Sequence, residues 1–456
     1  MRRSPLSRAA AVVGIALFSL APLAPARPGD SPKKLLREYF KAKKDADRVE
    51  ARKAIDESPP LDPKDVEDLR DEILEYLAKA APKVPAKGRN EWFTEKEQER
   101  NKWESAGLYF SGFKGRKGLV LGLHGGGAGS GDAGSAQGSF AGPIGGLGYS
   151  AVFPEVLRKT EYGWTDPPET ERWVMELVKR ARVSWGIDPD RVYVTGHSMG
   201  GYGTWTYGSL YADTFAGGAA FAGAPTVYWK DAARKDIEAE AVVEGYLPNL
   251  YNLPLFVFQS LDDPQVPAAA NVFACARLRE LHEKEPAGWR HLYEEVNGLG
   301  HGFPRGGPKA GLEWMASHER NPRPVKIVWQ PVREWKRTFY WLRWDEVWLN
   351  SLVTATRDAA RNAFDIVVER PRSRDAVKTE ALRELYVKSL SVYLDDRVLD
   401  LSREVVLTVD GKVRYRGMPE LRLGTLLRSC EEREDPEYAF AAEVKVGEVQ
   451  ETPTGK

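Results

Sequence analysis

One short segment constrains the fold of this chain more than any other. Residues 191–201 read Arg-Val-Tyr-Val-Thr-Gly-His-Ser-Met-Gly-Gly, a β-branched and aromatic run followed by a serine with a glycine two positions away on each side. Such a run is typical of a buried parallel strand. Gly196 and Gly200 are needed where a strained strand-to-helix turn brings its neighbours too close for side chains. The segment therefore predicts a strand, a sharp turn that exposes the Ser198 hydroxyl, and a helix.

Two further strand ends supply a carboxylate and an imidazole. One predicted strand, 253–260, runs into the pair Asp262-Asp263, and another, 290–296, is followed by His301 in a glycine-rich loop. A serine hydroxyl is a poor nucleophile at neutral pH, so it needs an imidazole to take its proton and a carboxylate to orient that imidazole. Because open α/β sheets place their ligands at the carboxyl ends of the strands, the pattern predicts that these groups meet Ser198.

A fourth predicted strand, 118–123, runs directly into a loop that reads His-Gly-Gly-Gly at 124–127. Glycine leaves the backbone amides of such a loop bare, and bare amides can point at a negatively charged oxygen that develops during a reaction. The loop is therefore a candidate oxyanion-binding loop.

With these motifs, residues 91–320 resemble the α/β-hydrolases, in particular the secreted esterases related to polyhydroxybutyrate depolymerases, feruloyl esterases and dienelactone-hydrolase-like proteins. The matching motifs are Leu-His-Gly-Gly-Gly, Asp-Pro-Asp-Arg-Val-Tyr-Val-Thr-Gly-His-Ser-Met-Gly-Gly-Tyr-Gly-Thr-Trp, Asp-Pro-Gln-Val-Pro and Gly-His-Gly-Phe, at 123–127, 188–205, 263–267 and 300–303. Together they are specific for the fold and the three polar residues, and they do not specify a substrate.

The resemblance implies a role for five residues. Ser198 would be the nucleophile, His301 the general base and Asp263 the orienting acid, while the amides of Met199 and Gly126 would form the oxyanion hole. The family's spacing of acid, two residues, Val-Pro selects this aspartate over the one before it. The implied activity is cleavage of carboxylic esters through an acyl-enzyme, with no metal and no cofactor.

Four regions are expected along the chain, and the predicted fold class is α/β. They are a signal peptide (1–26), a helical segment with a linker (27–90), an α/β-hydrolase domain with a doubly wound, mostly parallel sheet (91–322), and a β-rich domain read as a small β-sandwich (323–456). Apolar spacing predicts a pair of helices between residues 32 and 80, the second capped by Asp62. Strands are predicted at 325–330, 337–344, 364–369, 385–394 and 405–409, with a hairpin turn at Asp410-Gly411.

The amino-terminus predicts export. Arg2, Arg3 and Arg8 precede an apolar run from Ala9 to Ala21 that is too short to span a bilayer comfortably, and small residues follow near Ala26. Removing the three arginines leaves 63 basic against 66 acidic residues, which gives no reason to expect a nucleic-acid partner. Oligomeric state stays open.

Two cysteines and one inserted segment leave alternatives open. Cys275 and Cys430 could pair in an exported protein, although the first reads as a buried thiol on a helix. Residues 226–252 stand where hydrolases of this kind insert a cap; the stretch 231–246 looks helical, and it could equally be a helix that only covers the sheet.

Two rival functions remain. The first is a peptidase of the prolyl-oligopeptidase type, which shares the serine, histidine and aspartate but normally carries a propeller that this chain lacks. The second is an inactive surface protein that binds polysaccharide through aromatic residues such as Trp341 and Trp344, although two aromatics in one strand are more often core. The expected substrate is a small or polymeric ester.

Overall fold

The computed structural model describes residues 29–127, 129–230, 237–243, 245–371 and 380–447. Two compact units divide the chain, Met1–Pro59 and Pro60–Lys456. The predicted signal peptide lies outside the described residues. Of the first unit the structure describes two helices, α1 (Pro32–Lys41) and α2 (Asp45–Asp56), which pack against each other.

The prediction of two helices between residues 32 and 80 is wrong, because the structure has three and α2 is the additional one. The second expected helix is α3 (Val66–Ala80) of the second unit. A short helical turn, Pro63–Asp65, precedes it, and Asp62 caps that turn by accepting the N–H of Lys64 at 3.1 Å. The predicted cap therefore lies on the turn, and Asp65 is the residue that precedes α3 itself. The charged stretch that contains α2 has few apolar side chains, which is why its periodicity was weak evidence for a helix.

The second unit is built on a large, mostly parallel sheet, as predicted. Its strands are β1 (Lys87–Glu91), β2 (Leu108–Gly112), β3 (Leu119–Leu123), β4 (Ser150–Pro154), β5 (Val192–His197), β6 (Gly217–Phe221), β9 (Leu255–Ser260) and β10 (His291–Val296). They follow the order β1-β2-β4-β3-β5-β6-β9-β10, and all pairs from β4 to β10 are parallel. β3, β4, β6 and β9 are buried along their whole length, which explains their uninterrupted apolar sequences.

Six helices connect or follow these strands. They are α4 (Glu95–Asn101), α5 (Ala133–Gly146), α6 (Pro168–Trp185), α7 (Met199–Leu210), α8 (Ala269–Lys284) and α9 (Lys309–Ala316). Several bounds follow from local chemistry. For example, α6 begins with Pro168 at its first position and is followed by Gly186, whose φ of 60° is a left-handed conformation that glycine adopts at little cost.

The segment between β6 and β9 is not the predicted helix. It contains a two-stranded antiparallel sheet of β7 (Val227–Trp229) and β8 (Ile237–Val242). Residues 231–236 and 244, part of the stretch expected to be helical, lie outside the described residues. The alternation of apolar and polar residues from 237 to 242 is a strand pattern, and the charged residues before it concealed that pattern.

The C-terminal region has two sheets, as a sandwich requires, but it also has two helices. The strands are β11 (Lys326–Trp329), β12 (Thr338–Phe339), β13 (Leu342–Trp344), β14 (Leu352–Asp358), β15 (Ala363–Glu369), β16 (Leu390–Leu394), β17 (Val405–Val409), β18 (Lys412–Gly417) and β19 (Ala442–Lys445); the helices are α10 (Glu380–Lys388) and α11 (Leu423–Arg433). The sheet orders are β11-β14-β15-β17-β18 and β12-β13-β16-β19.

Two of the predicted strands are wrong in part. The strand predicted at 337–344 is a tight hairpin that reverses at Tyr340, and the first half of the one predicted at 385–394 is the end of α10. The hairpin predicted at Asp410-Gly411 is confirmed: both residues have positive φ, 50° and 77°, between β17 and β18. The domain boundaries stay predictions, and residues on both sides of Pro322 contribute to one hydrophobic core within the second unit.

Trp341 and Trp344 are both 0% exposed. The Trp341 ring lies 4.9 Å from that of Phe364, between the two C-terminal sheets, and the Trp344 ring lies 5.9 Å from that of Trp329. These side chains cannot hold a polysaccharide, so the aromatic basis for the binding-protein hypothesis is wrong. Cys275 and Cys430 are free and buried. Among the described residues, no helix has both the length and the apolar character needed to cross a membrane.

Candidate active site at the carboxyl edge of the large sheet

The serine predicted from sequence stands on a strained turn between β5 and α7. Ser198 has φ 60° and ψ −123°, a backbone conformation that is costly for a residue other than glycine. A side chain at Gly196 would come within 2.3 Å of the Gly200 oxygen, and one at Gly200 within 2.2 Å of the Leu123 oxygen. Only glycine fits at either place, so the spacing of small residues in the motif has a direct steric cause.

A third glycine, which packs against this turn from the neighbouring strand, was not identified from the sequence. A side chain at Gly223, just after β6, would approach the Ser198 carbonyl oxygen to 2.2 Å. The N–H of Ser198 donates to the carbonyl of Phe221 at 2.9 Å. The turn is therefore held by β6 as well as by its own strand, and the only signal in the sequence was a glycine at the end of an apolar run.

The structure brings Ser198, His301 and Asp263 together, although 103 and 38 positions separate them along the chain. The Nε2 atom of His301 lies 2.8 Å from Ser198 Oγ, and its Nδ1 atom lies 2.8 Å from Asp263 Oδ2. The Asp263 side chain is fully buried. The imidazole can thus donate from Nδ1 to the carboxylate while Nε2 accepts from the hydroxyl.

The second oxygen of Asp263 is also bound. Oδ1 accepts the backbone N–H groups of Gln265 at 2.8 Å and Val266 at 3.0 Å. Both residues belong to the Asp-Pro-Gln-Val-Pro motif that follows β9. The motif therefore bends the chain back onto its own aspartate, which leaves Oδ2 aimed at the imidazole.

Two buried amides behind the carboxylate were missed by sequence reasoning. Gln259 Nε2 donates to Asp263 Oδ2 at 3.3 Å and to the Ser260 carbonyl at 2.9 Å. Asn271, on α8, donates to Gln259 Oε1 at 2.8 Å and to the Gly223 carbonyl at 3.1 Å. A glutamine in a strand and an asparagine in a helix carry no motif, so only their burial in three dimensions identifies them.

Asp262 holds the loop that carries the histidine. Its Oδ1 atom accepts the N–H groups of Gly298 at 2.9 Å and Gly300 at 3.2 Å, and the Ser260 hydroxyl at 2.5 Å. These hydrogen bonds, the one from Ser260 above all, lower the pKa of the Asp262 carboxyl. The sequence had assigned Asp262 only to a turn, whereas the structure makes it the tie between the loops after β9 and β10.

Of the two residues predicted to form the oxyanion hole, Met199 follows the serine directly in the chain and Gly126 lines the same cavity as Ser198. Met199 begins α7, so its N–H is one of the four that have no partner within the helix. Gly125 packs against the turn, since a side chain there would lie 3.2 Å from Ser198 Cβ. No hydrogen-bond acceptor in the described part of the chain takes the N–H of Met199 or Gly126.

His124 orients the peptide group that carries the Gly126 N–H. Its Nε2 atom accepts the N–H of Val156 at 3.2 Å, so the ring proton is on Nδ1 and donates to the Gly125 carbonyl at 2.7 Å. In a trans peptide the N–H points away from the carbonyl, so the Gly126 N–H points away from His124. Burial lowers the pKa of His124 to about 4, which keeps the ring neutral and able to make both contacts.

His197, the residue before the serine, packs against the imidazole of the site. Its ring lies 4.8 Å from that of His301 and 4.5 Å from that of Phe303. Burial, with the charge of His301 acting in the same direction, lowers the pKa of His197 to about 4. A neutral ring there can support the imidazole without repelling it.

A cavity of about 540 Å³ opens at Ser198. It lies between the glycine loop 125–127 and the first turns of α5, where Ser135, Ser139 and Phe140 line it. None of the described residues of segment 226–252 lines this cavity, so the structure gives that segment no role as a cap here. The described residues contain no cluster of three or more His, Cys, Asp or Glu side chains that could hold a metal ion.

The strand order of the large sheet and the serine turn between β5 and α7 define an α/β-hydrolase fold. A comparison with protein-family models finds no match. A comparison with curated proteins finds a poly(3-hydroxyalkanoate) depolymerase C of Paucimonas lemoignei, 36% identical over 70 residues, which cover 14% of this chain and 17% of that protein. The match thus spans about a sixth of the relative's length.

Solved structures with some similarity include three esterases. A thermostable esterase is 18% identical with a TM-score of 0.38, covering 52% of this chain and 63% of that one. Esterase 2 of Thermogutta terrifontis is 14% identical with a TM-score of 0.37, covering 52% and 93%. A hyperthermophilic esterase of Pyrobaculum calidifontis is 15% identical with a TM-score of 0.37, covering 58% and 95%. The fold assignment rests on the sheet and the turn described above.

Proposed function

We propose that this protein is a serine hydrolase that cleaves carboxylic esters through a covalent acyl-enzyme. The observation that supports it is the continuous chain from Asp263 through His301 to Ser198, with both contacts at 2.8 Å. A carboxylate, an imidazole and a hydroxyl in this order have the geometry of an activated serine nucleophile.

In the first half of the reaction, Ser198 Oγ attacks the ester carbonyl as its proton moves to His301 Nε2. Asp263 stabilises the resulting imidazolium and keeps its other proton on Nδ1. The carbonyl oxygen becomes negatively charged and accepts the N–H groups of Met199 and Gly126. His301 then gives its proton to the alcohol oxygen, the C–O bond breaks, and the alcohol leaves.

In the second half, a water molecule takes the place of the alcohol. His301 accepts a proton from this water as the water oxygen attacks the acyl group on Ser198. The tetrahedral intermediate again places its charge on the two amides. When it collapses, Ser198 recovers its proton from His301 and the carboxylic acid is released.

The substrate class is proposed more narrowly from the cavity. The glycine amides, Ser135 and Ser139 line a site of about 540 Å³, which favours a small ester with polar substituents over a long unbranched acyl chain. The curated relative's name includes a poly(3-hydroxyalkanoate), which is a polymeric ester. We therefore include this polyester beside small esters, feruloyl esters and peptide amides as test substrates.

The test is the replacement Ser198→Ala, with Ser139→Ala as the matched control. The first variant removes the nucleophile and should lower kcat for 4-nitrophenyl acetate by about 10⁶-fold. The control removes a hydroxyl from the same cavity wall and should keep kcat within a few-fold. An organophosphonate should label Ser198 in the wild type and no residue in Ser198→Ala.

Labelling of another serine, or an unchanged rate in Ser198→Ala, would contradict the nucleophile assignment. Turnover of peptide amides in preference to esters would favour the peptidase alternative. No labelling and no turnover of any of these substrates by folded wild-type protein would contradict the hydrolase proposal itself.

We also propose that the protein is exported. The support is the basic segment Arg2, Arg3 and Arg8 followed by an apolar run and small residues near Ala26. Amino-terminal sequencing of protein recovered outside the cytoplasm should begin near residue 27. Protein that starts at Met1 in the cytoplasmic fraction would contradict export.

A further inference from the structure

A second cavity, of about 340 Å³, lies between α6 and the C-terminal region. It shares no lining residue with the cavity at Ser198. Its walls are rich in cationic side chains, among them Arg172, Arg182, Arg320, Lys336, Arg337 and Arg433. One water molecule occupies about 30 Å³, so the cavity has room for a small hydrated ion.

Arg182 is a buried residue of the cavity wall that forms no ion pair with any described residue. It is 8% exposed, and the partner it has is the main-chain carbonyl of Glu434, which accepts from Nη2. A guanidinium has five N–H donors, and no carboxylate among the described residues forms an ion pair with this one. Its Nε and Nη1 groups have no acceptor among the described residues, and the side chain lines the cavity.

The electrostatic environment of Arg182 agrees with this. Burial lowers the pKa of Arg182. Two neighbouring cations, Arg320 and Arg180, act in the same direction, but Asp435 and Glu434 oppose them at least as strongly, so the lowered pKa is due to burial of the guanidinium. An added negative charge in the cavity would compensate the buried guanidinium.

Lys336 presents a second buried cation. Its ammonium group donates to Asp213 Oδ2 at 2.6 Å and to the Thr338 carbonyl at 2.6 Å, which uses two of its three protons. Burial lowers the pKa of Lys336 to about 8, with the charge of Arg433 acting in the same direction.

The acids around the cavity are already bound to other cations. Asp213 receives both Lys336 and Arg433, and Asp435 receives Arg320 at 2.9 Å. Each of these carboxylates offsets positive charge on the cations to which it is bound, and none of them forms an ion pair with Arg182. Two further carboxylates line the cavity, Glu176 and Glu432, and they pair with Arg180 and Arg343. Lysine and arginine side chains therefore outnumber carboxylates among the described residues of its walls.

The mouth of the cavity is also cationic. Arg172 lies 4.9 Å from the ring centroid of Trp335, which is 39% exposed. Arg337 is exposed and forms no ion pair within the described ranges. Positive charge at an opening raises the local concentration of anions and speeds their entry.

We propose that this cavity binds a small tetrahedral oxyanion with two negative charges, the chemistry shared by phosphate and sulfate. Planar guanidinium groups donate paired hydrogen bonds to such oxygens. Arg182 is the buried donor to the ion, and Arg337 is the exposed donor to it. The ion joins α6 to the C-terminal region, and the proposal is independent of the reaction at Ser198.

The test measures binding of inorganic phosphate to the full-length protein by titration calorimetry, with sodium chloride at equal ionic strength as the reference. The wild type should bind one phosphate. Arg337→Ala, which changes an exposed side chain, should weaken the Kd roughly tenfold, the loss of one charge-assisted hydrogen bond. Arg182→Met should abolish binding. Arg277→Ala, an exposed arginine that does not line the cavity, should leave the Kd unchanged.

Sulfate should bind in competition with phosphate, and acetate should not. If the wild type takes up no phosphate beyond the chloride reference, if both wall variants bind like the wild type, or if acetate competes equally, the proposal is wrong. Turnover by Arg337→Ala should equal that of the wild type, so failure of the anion site and failure of the proposed hydrolase can be told apart.

Discussion

Two regions of the second unit are held by different kinds of interaction. At the corner of the sheet that carries Ser198, backbone groups, neutral amides and glycines in close contact fix the geometry, with Asp263 as the fully buried charge. Where α6 and the end of α7 meet the C-terminal region, buried ion pairs hold the elements together. Asp213, at 0% exposure, binds both Lys336 and Arg433.

The difference teaches what each region can tolerate. Replacing one of the polar side chains around Ser198 can displace a reacting atom while lowering the free energy of unfolding only slightly. In the ion-paired region the loss of one partner strands a buried charge, which is costly even where no chemistry occurs. Rate and stability should therefore respond to different substitutions.

The largest expected effect is that of truncation after Pro322. Tyr340 and Tyr438 donate to the main-chain carbonyls of Ala212 and Asp213 at 2.8 and 2.9 Å, so the cut removes their hydrogen bonds together with the core that both regions share. We expect insoluble or unfolded protein, judged by circular dichroism and gel filtration. A folded, active fragment would show that the two regions are independent.

The next effect is on rate alone. Asp263→Asn should lower kcat by about 10⁴-fold, because an amide donates where the carboxylate accepted and traps the wrong imidazole tautomer. The matched variant Asp262→Asn changes the loop tie and should lower kcat by about tenfold or less. Steady-state kinetics with 4-nitrophenyl acetate measure both. The reverse ranking would move the orienting acid by one position.

Asp213→Asn should lower stability and leave the rate unchanged, which is the opposite of the effect expected for Asp263→Asn. Two buried cations then lack their carboxylate, so the free energy of unfolding should fall by about 3–5 kcal/mol. The kcat of the remaining folded protein should stay unchanged. Urea unfolding and active-site titration give the two values. A large loss of kcat per active site would couple the two regions.

The pH dependence of stability should report His197. Its pKa is near 6.5 when unfolded and about 4 when folded, so between these values only the unfolded chain gains the proton, and stability falls as the pH falls from 6.5 to 4. His197→Phe should remove about 2 kcal/mol of this loss, measured by urea unfolding at pH 7 and 4.5. Equal pH dependence in both proteins would show that His197 is not kept neutral by the fold.

The smallest effect distinguishes two buried glutamines. Gln259→Leu deletes the amide donor to Asp263 and should lower kcat about tenfold, which is the lower end of the roughly 1.5–3 kcal/mol that hydrogen bonds to charged groups contribute. Gln330→Leu deletes a buried amide that binds the Gly245 N–H and should reduce stability without changing kcat. Equal kcat in the two variants would remove Gln259 from the set of positioning residues.

Local patterns predicted the serine corner well. The strands that precede Ser198 and Asp263 are buried, mostly apolar runs, and the glycines beside the serine are spaced by a steric requirement that acts within a few residues. Prediction was poorer where the pattern was mixed. The segment after β6 has many charged residues, which favour a helix in a sequence pattern, but it contains the strands β7 and β8. The strand predicted at 337–344 is interrupted by a turn at Tyr340.

The sequence by itself determined the α/β class and the serine turn, because both depend on short-range periodicity or on a local backbone constraint. The choice of Asp263 over Asp262 came from the spacing that the resemblance to the α/β-hydrolases implies. Tertiary structure alone decided the rest. Gln259 and Asn271 act through burial behind a carboxylate, and Asp213 meets Arg433 across 220 positions of chain. Such partners leave no periodic trace in sequence, because only the folded chain brings them within hydrogen-bonding distance.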